Sequence, residues 1–189
     1  MNAYDFDKTI YHGDSSADFF LHCLKKHPKI MLLGPSVLIG FIKFYILKKG
    51  TKTQFKEKVF RFVRYVDIDK ELKVFWEKNS YKIKAFYKEQ QQPDDVIISA
   101  SPEFLLAPIC KELGISHLIA SDVDQKSGKF NRLNCHGKEK VVRFREVFGN
   151  SKVENFYSDS YSDTPMAEIS DRAYIVKGEI LSDWDFSRR

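Results

Sequence analysis

Two aspartates one residue apart open the chain, in Tyr4-Asp5-Phe6-Asp7-Lys8-Thr9. Ala3, Tyr4 and Phe6 form a short apolar lead-in that predicts a strand, and Lys8 and Thr9 start the loop that leaves it. Side chains at i and i+2 of an extended chain share a side. Asp5 and Asp7 are therefore expected to face one small volume at the strand's carboxyl end, where open α/β sheets bind ligands. Carboxylates held that close repel unless a proton or a cation intervenes, so the pair suits a divalent metal or acid/base chemistry. A turn that favours Asp gives the same pattern with no chemistry in it, and the rest of the chain has to decide.

Further polar residues stand at the ends of the other expected strands. Val96-Ile97-Ile98 is a continuous apolar run, as in a buried parallel strand, and it ends in Ser99-Ala100-Ser101-Pro102. Pro102 is placed to begin a helix carrying Leu105, Leu106, Ile109 and Cys110 towards Gly114, a C-terminal cap. His117 to Ser121 predicts another strand, followed by a hairpin-like excursion around Gln125 to Gly128. Gly137-Lys138-Glu139-Lys140 opens a helix through Val141, Phe144 and Phe148. Val153 to Tyr157 predicts a strand that runs into Ser158-Asp159-Ser160-Tyr161-Ser162-Asp163, and a short helix and a last strand, Ala173 to Val176, follow. Strands and helices alternating over short loops predict a doubly wound parallel α/β sheet. The carboxyl ends of its strands share one edge, which gathers Asp5, Asp7, Ser99, Asp159 and Asp163, with Lys138 or Lys140 at a helix start facing them. Singly these are helix caps, turn formers and solvated charge. Together they make an acidic pocket with a hydroxyl and an ammonium group.

Between the first strand and Pro93 the pattern is all helix. Ser15 or Ser16 can cap a helix to about Lys26, and Thr51 or Thr53 can start one bearing Phe55, Val59, Phe62 and Val63. Asp67 or Asp69 caps a long helix with Leu72, Phe75, Trp76, Ile83 and Phe86 on one face. Residues 15–92 are thus expected to form a helical cap inserted into an α/β core of residues 1–14 and 93–189. Within the insert, Ile30 to Ile42 holds no charged residue, but Gly34, Pro35 and Gly40 interrupt it and Lys43 ends it. It falls short of the roughly 18–20 apolar residues that span a bilayer. Lys25, Lys26 and Lys29 precede it, and Lys48, Lys49 and Lys52 follow. Two readings of Ile30–Leu47 stand: short helices packed inside the cap, or a peripheral membrane contact with lysines at the headgroups.

Composition bounds the rest. A chain of 189 residues can bury one good core with a small appended unit. Its 43% hydrophobic and 30% charged content excludes a disordered chain. The net charge of +5 comes from scattered lysines without an Arg-rich block, which suits anionic substrates or a membrane surface and argues against nucleic acid. Cys23, Cys110 and Cys135 lie far apart with no Cys-x-x-Cys spacing, so reduced thiols in a cytoplasmic protein are expected. Only four residues precede Asp5, so no signal peptide is expected ahead of it.

Phosphoryl transfer needs such a set. A carboxylate attacks phosphorus, a second acid protonates the leaving oxygen, and hydroxyl, amide and ammonium donors hold the equatorial oxygens. Asp-Phe-Asp-Lys-Thr, the strand ending at Ser99, the Gly-x-x-Lys helix start and Ser-Asp-x-x-x-Asp resemble the four motifs of the haloacid dehalogenase superfamily. The helical insert directly after the first motif is similar to the cap of its phosphoserine phosphatase-like branch. The resemblance implies a Mg²⁺-dependent phosphomonoesterase in which Asp5 forms an aspartyl-phosphate and Asp7 is the general acid/base. It further implies that Ser99, Ala100 and Lys140 bind the phosphoryl group. Asp5, Asp159 and the backbone carbonyl of Asp7 would ligate Mg²⁺, and Asp163 would hold its water shell. The family's Gly-x-x-Lys spacing from Gly137 selects Lys140 over Lys138.

Departures from the pattern bear on the substrate. Family members that act on serine phosphate follow the second-motif Ser with two glycines and carry a Glu in the loop after the first motif. Here Ala100-Ser101-Pro102 stand in the first place and Asp14 near the second, which makes Asp14 a candidate for substrate specificity. Ser-x-Ser-Pro, Gly-x-Glu-Lys-Val and Tyr-Ser-Asp-Ser are closer to a set that includes bacterial phosphatidylglycerophosphate phosphatases. A small phosphate ester is the leading substrate class and a lipid phosphate the alternative. A phosphate-binding or regulatory protein without turnover is the reading of a different class.

Overall fold

A computed structural model describes residues 1–188; residue 189, the end of the expected core segment, lies outside the described residues. The sheet strands are β1 (Ala3–Tyr4), β2 (Val96–Pro102), β3 (His117–Ser121), β4 (Val153–Ser158), β5 (Ser170–Lys177) and β6 (Ile180–Asp183). They lie in the order β3-β2-β1-β4-β5-β6, with every pair parallel except β5 and β6. This is the expected doubly wound parallel α/β sheet. The chain winds outward from β1 to β3 on one side, then returns to β4 on the other. The order reverses between β1 and β4, and a crevice opens there beyond the strand ends.

Apolar side chains alternate between the two faces of the sheet. Ala3, Val96, Ile98 and Phe156 join one core cluster, while Tyr4, Ile97 and Tyr157 join the other. Helices α6 (Glu103–Glu112), α7 (Lys138–Phe148) and α8 (Thr164–Ala167) cover the two faces. Leu105, Leu106 and Ile109 of α6 pack on the second cluster and Phe144 of α7 on the first. Cys23, Cys110 and Cys135 are buried and free.

The segment between β1 and β2 is helical throughout: α1 (Ser15–Lys26), α2 (Gly34–Phe41), α3 (Lys52–Phe60), α4 (Ile68–Asn79) and α5 (Ala85–Gln90), joined by short 3₁₀ and π turns. Asp14 caps α1 by accepting from the Ala17 amide at 2.9 Å. Thr51 and Gln54 form a reciprocal capping box on α3, and Asp67 caps α4. Phe19, Phe62, Phe75 and Trp76 interlock edge to face, and the Trp76 indole donates to the Leu105 carbonyl at 2.7 Å, fastening α4 to α6.

Three sequence expectations are corrected. The long helix from Asp67 through Phe86 breaks after Asn79, because Ile83 turns extended to bridge Tyr11. The Lys84 ammonium then reaches the carbonyls of Lys8 and Gly178, each at 2.6 Å. Tertiary pairing there outweighs helical periodicity. Strand β6 was not anticipated: Gly178, at φ 62°, turns the chain so that Lys177 pairs with Ile180 in a tight hairpin.

The third correction concerns the first of the two readings of Ile30–Leu47, short helices packed inside the cap. Pro28–Ile46 is a continuous helical stretch of 19 residues, long and apolar enough to cross a membrane. Its side chains are not the interior of the cap. Met31, Leu32, Leu38, Ile39, Ile46 and Leu47 are exposed, and Ile30 and Gly40 are the buried positions along it.

Candidate active site

The reversal between β1 and β4 places the first and last acidic motifs side by side. The Asp5 amide continues the β1–β4 ladder by donating to the Tyr157 carbonyl at 2.9 Å, which aims the Asp5 carboxylate over the strand ends. Thr9 ties the two loops together: its hydroxyl donates to Asp5 Oδ2 at 3.3 Å and accepts the Asp159 amide at 2.9 Å. Gly137, at φ 59°, makes the turn into α7, whose first turn carries Lys140 inward. Its ammonium donates to Asp5 Oδ1 at 2.6 Å and Asp163 Oδ2 at 2.7 Å, and the Ser158 hydroxyl is a second donor to Asp163 Oδ2 at 2.8 Å. Lys138, two positions earlier, is exposed.

Asp7 sits across the same hollow, held from two other elements. Its Oδ1 accepts the Ser15 amide at 2.6 Å, at the N-terminus of α1, and its Oδ2 accepts the Ser101 hydroxyl at 2.5 Å. Ser16 joins this group through Ser101 at 2.7 Å. The resulting cavity, about 250 Å³, is lined by the acidic Asp5, Asp7, Asp14, Asp159 and Asp163 and by Lys52, Lys56 and His136. Lys56 donates to the Ala100 carbonyl at 2.8 Å and to Asn134 Oδ1 at 2.9 Å, so α3 of the insert closes directly over the end of β2.

Electrostatics follow from this crowding. Burial pushes the Asp5 carboxyl up to about 7; Lys140 pulls against the rise, while Asp163 and Asp7 add to it. Asp7 is raised by burial and then by Asp14, against the hydrogen bonds from Ser101 and Ser15. Burial works against the charge of Lys140, but Asp163 and Asp5 outweigh it and its pKa is raised, so this ammonium stays charged. Asp159 is raised by burial, with Lys177 opposing. Burial, helped by Lys52, lowers Lys56 to about 8.

The acidic groups fit a hard divalent cation. One oxygen of the buried Asp163, Oδ1, has no hydrogen-bond partner. Asp5, Asp7 and Asp159 supply further oxygens around the cavity, the donor type that Mg²⁺ takes. Among the described residues no three His, Cys, Asp or Glu side chains gather as ligands of one ion. A cation here therefore needs main-chain oxygen and water beside the carboxylates, which is how Mg²⁺ is usually held.

The structure brings together Asp5, Asp7, Asp14, Ala100, Lys140, Asp159 and Asp163. Ser99 is placed differently. It is fully buried, its hydroxyl accepts the Ser101 amide at 3.1 Å, and Ala100 and Ser101 line the cavity instead. Sequence reasoning missed Ser101, Lys52, Lys56 and His136. For the lysines a signal existed, since residues four apart share a helix face and this pair lies beside Phe55 and Val59 on the others.

Comparison with known proteins bears on the family and the fold. The model of the haloacid dehalogenase-like hydrolases matches residues 3–168. Protein CicA of Caulobacter vibrioides is 40% identical over 82 residues, covering 40% of this chain and 37% of CicA. A probable phosphatase of Mycobacterium tuberculosis is 33% identical over 90 residues, covering 44% of this chain and 31% of that protein. The match thus spans about a third of the length of these relatives. In fold, the chain is similar to a phosphoserine phosphohydrolase-like protein from Francisella tularensis, with a TM-score of 0.62 at 16% identity over 95% of this chain and 89% of that one.

Proposed function

The chain belongs to the haloacid dehalogenase-like hydrolase family, and from that premise we propose that it is a Mg²⁺-dependent phosphomonoesterase working through an aspartyl-phosphate on Asp5. The observation that carries this reading is the pairing across one cavity of a lysine-bound Asp5 with Asp7, an acid held at an elevated pKa. Asp5 attacks phosphorus, a P–O bond to Asp5 forms, and the bond to the leaving oxygen breaks. Asp7 gives its proton to that oxygen, then takes one from the water that attacks the acyl phosphate and frees Asp5. Lys140 and the donors around Ser101 hold the phosphoryl oxygens as charge spreads over them.

Asp5, Asp159 and the Asp7 carbonyl are the groups to hold Mg²⁺, with Asp163 on its water. When bound, the ion supplies charge screening between the Asp5 carboxylate and the phosphate.

A small, anionic phosphate ester is the substrate class best supported, because the cavity is polar and faces Lys52 and Lys56 of the insert. A lipid phosphate of the phosphatidylglycerophosphate type is the second reading, favoured by the exposed apolar helix that adjoins α3. A panel of phosphate esters including both classes, assayed with Mg²⁺ and with excess chelator, tests the proposal. Turnover that needs Mg²⁺ and is abolished in Asp5→Asn is expected. Phosphate binding without turnover of any ester would leave the catalytically silent, phosphate-binding reading in its place.

A further inference from the structure

We propose that the helical stretch Pro28–Ile46 docks the protein on the surface of an anionic lipid bilayer, lying flat at the headgroup level. The inference goes beyond the proposed hydrolysis, because it concerns a surface outside the catalytic cavity and requires no turnover.

The apolar content of the stretch is presented to solvent: its mean hydropathy reaches 1.6 over a window only 11% buried. Met31 is 69% exposed, Leu32 73%, Leu38 58%, Ile39 61% and Ile46 63%. Beside them lies an apolar hollow of about 440 Å³ between Leu24, Met31, Val37, Leu38 and Phe41. Contiguous apolar surface of this kind marks an interaction site on a soluble domain.

Charge selects the partner. From Phe19 through Lys56 there is no Asp or Glu, while eight lysines fall in those 38 residues. Lys25 stands exposed before the helix, Lys29 in its first turn, Lys43 further along it, and Lys48 and Lys49 after it. An apolar helix face edged by cations matches the acyl boundary and anionic headgroups of a membrane, each lysine adding its own attraction.

Packing selects the orientation. The opposite face of the helix is already occupied: Ile30 is buried, Gly40 lies so close to Lys58 that a Cβ would come within 2.5 Å of it, and Phe41 and Phe44 pack around Phe55. A helix bound to its own protein along one side, with Lys43 in its length, lies in the interface rather than across it. Phe55 meets this helix, and the next residue, Lys56, reaches into the catalytic cavity, so docking places α3 between the membrane and the site.

Co-sedimentation of the full chain with vesicles tests this. Binding to vesicles of mixed phosphatidylglycerol and phosphatidylcholine is expected at low salt. It should fall by about tenfold or more for pure phosphatidylcholine, at high salt, and in a Lys48→Glu/Lys49→Glu variant. A Leu38→Glu/Ile39→Glu variant should lose binding while keeping its circular dichroism and its hydrolysis of a soluble aryl phosphate. Since binding is read without catalysis, its failure is distinguishable from failure of the phosphatase assignment. No binding to anionic vesicles at low salt, or undiminished binding in the Leu38/Ile39 variant, overturns the proposal. So does a stable dimer that this variant dissolves without any vesicle binding, since a second copy of the chain would then be the occupant.

Discussion

At the scale of single residues, the paired acids were legible because both sit on one short strand exit, where spacing alone sets direction. Ser101 and Ser99 were not separable in the same way. Which hydroxyl faces the cavity depends on the irregularity after Ile98, where the β2–β3 register shifts. The two lysines of the α7 start differ by a measurable amount. Lys140→Met would leave Asp5 and Asp163 buried without their shared cation, and should destabilise the fold by about 3–5 kcal/mol. Lys138→Met, on the outside, should change stability by no more than about 0.5 kcal/mol. Urea denaturation of the two variants checks both. For Asp7, replacement by Asn keeps the shape but removes the proton, and kcat should fall about 10²- to 10⁴-fold, read with a soluble aryl phosphate.

At the scale of elements, the insert could be recognised as helical but not docked from sequence. Its attachment is made by scattered polar contacts with no periodicity. Glu57 accepts the Phe130 amide, Arg64 donates to the Ser127 carbonyl, and Thr53 accepts the Asn134 amide. Gly128, at φ 74°, lets the loop approach so closely that a Cβ would lie 2.3 Å from the Phe60 carbonyl oxygen. Gly128→Ala should therefore cost about 1–3 kcal/mol and loosen the insert over the cavity, checked by thermal melting and by a raised KM.

A second device ties α1 to α4. Glu71, 4% exposed, accepts from Lys26, His22 and His27 at 2.9, 2.9 and 3.1 Å. Burial pushes the Glu71 carboxyl up, but these hydrogen bonds outweigh it and bring the pKa from 4.5 to about 2. A folded pKa below the unfolded one means that the ionised form is the stabilising one. Its contribution is complete above 4.5 and drains away as pH falls towards 2. Glu71→Gln should accordingly be less stable than the parent by about 2 kcal/mol at neutral pH. Melts from pH 7 downward should show that gap closing on acidification; a gap independent of pH would remove Glu71's ionisation from the account.

At the scale of the whole molecule, the alternation of short strand-like runs and helical segments was enough to specify the parallel sheet, with the continuous apolar run of β2, Val96-Ile97-Ile98, as its clearest buried strand. The hairpin to β6 escaped because that strand is exposed along its length and gives no apolar run, although Gly178 was there as a turn signal. The exposed helix of the insert stayed between two readings for the opposite reason: an apolar segment is ordinarily buried, and composition does not say against what. The central claim is that this sheet reversal and its flanking helices make Asp5 a nucleophile towards phosphorus. Rapid quenching of the protein during turnover of an aryl phosphate with Mg²⁺, followed by mass spectrometry of its peptides, tests that most directly. The account predicts one added phosphoryl group on the peptide containing Asp5, absent in Asp5→Asn. Turnover with no phosphoryl group on Asp5, or undiminished turnover in Asp5→Asn, would contradict it.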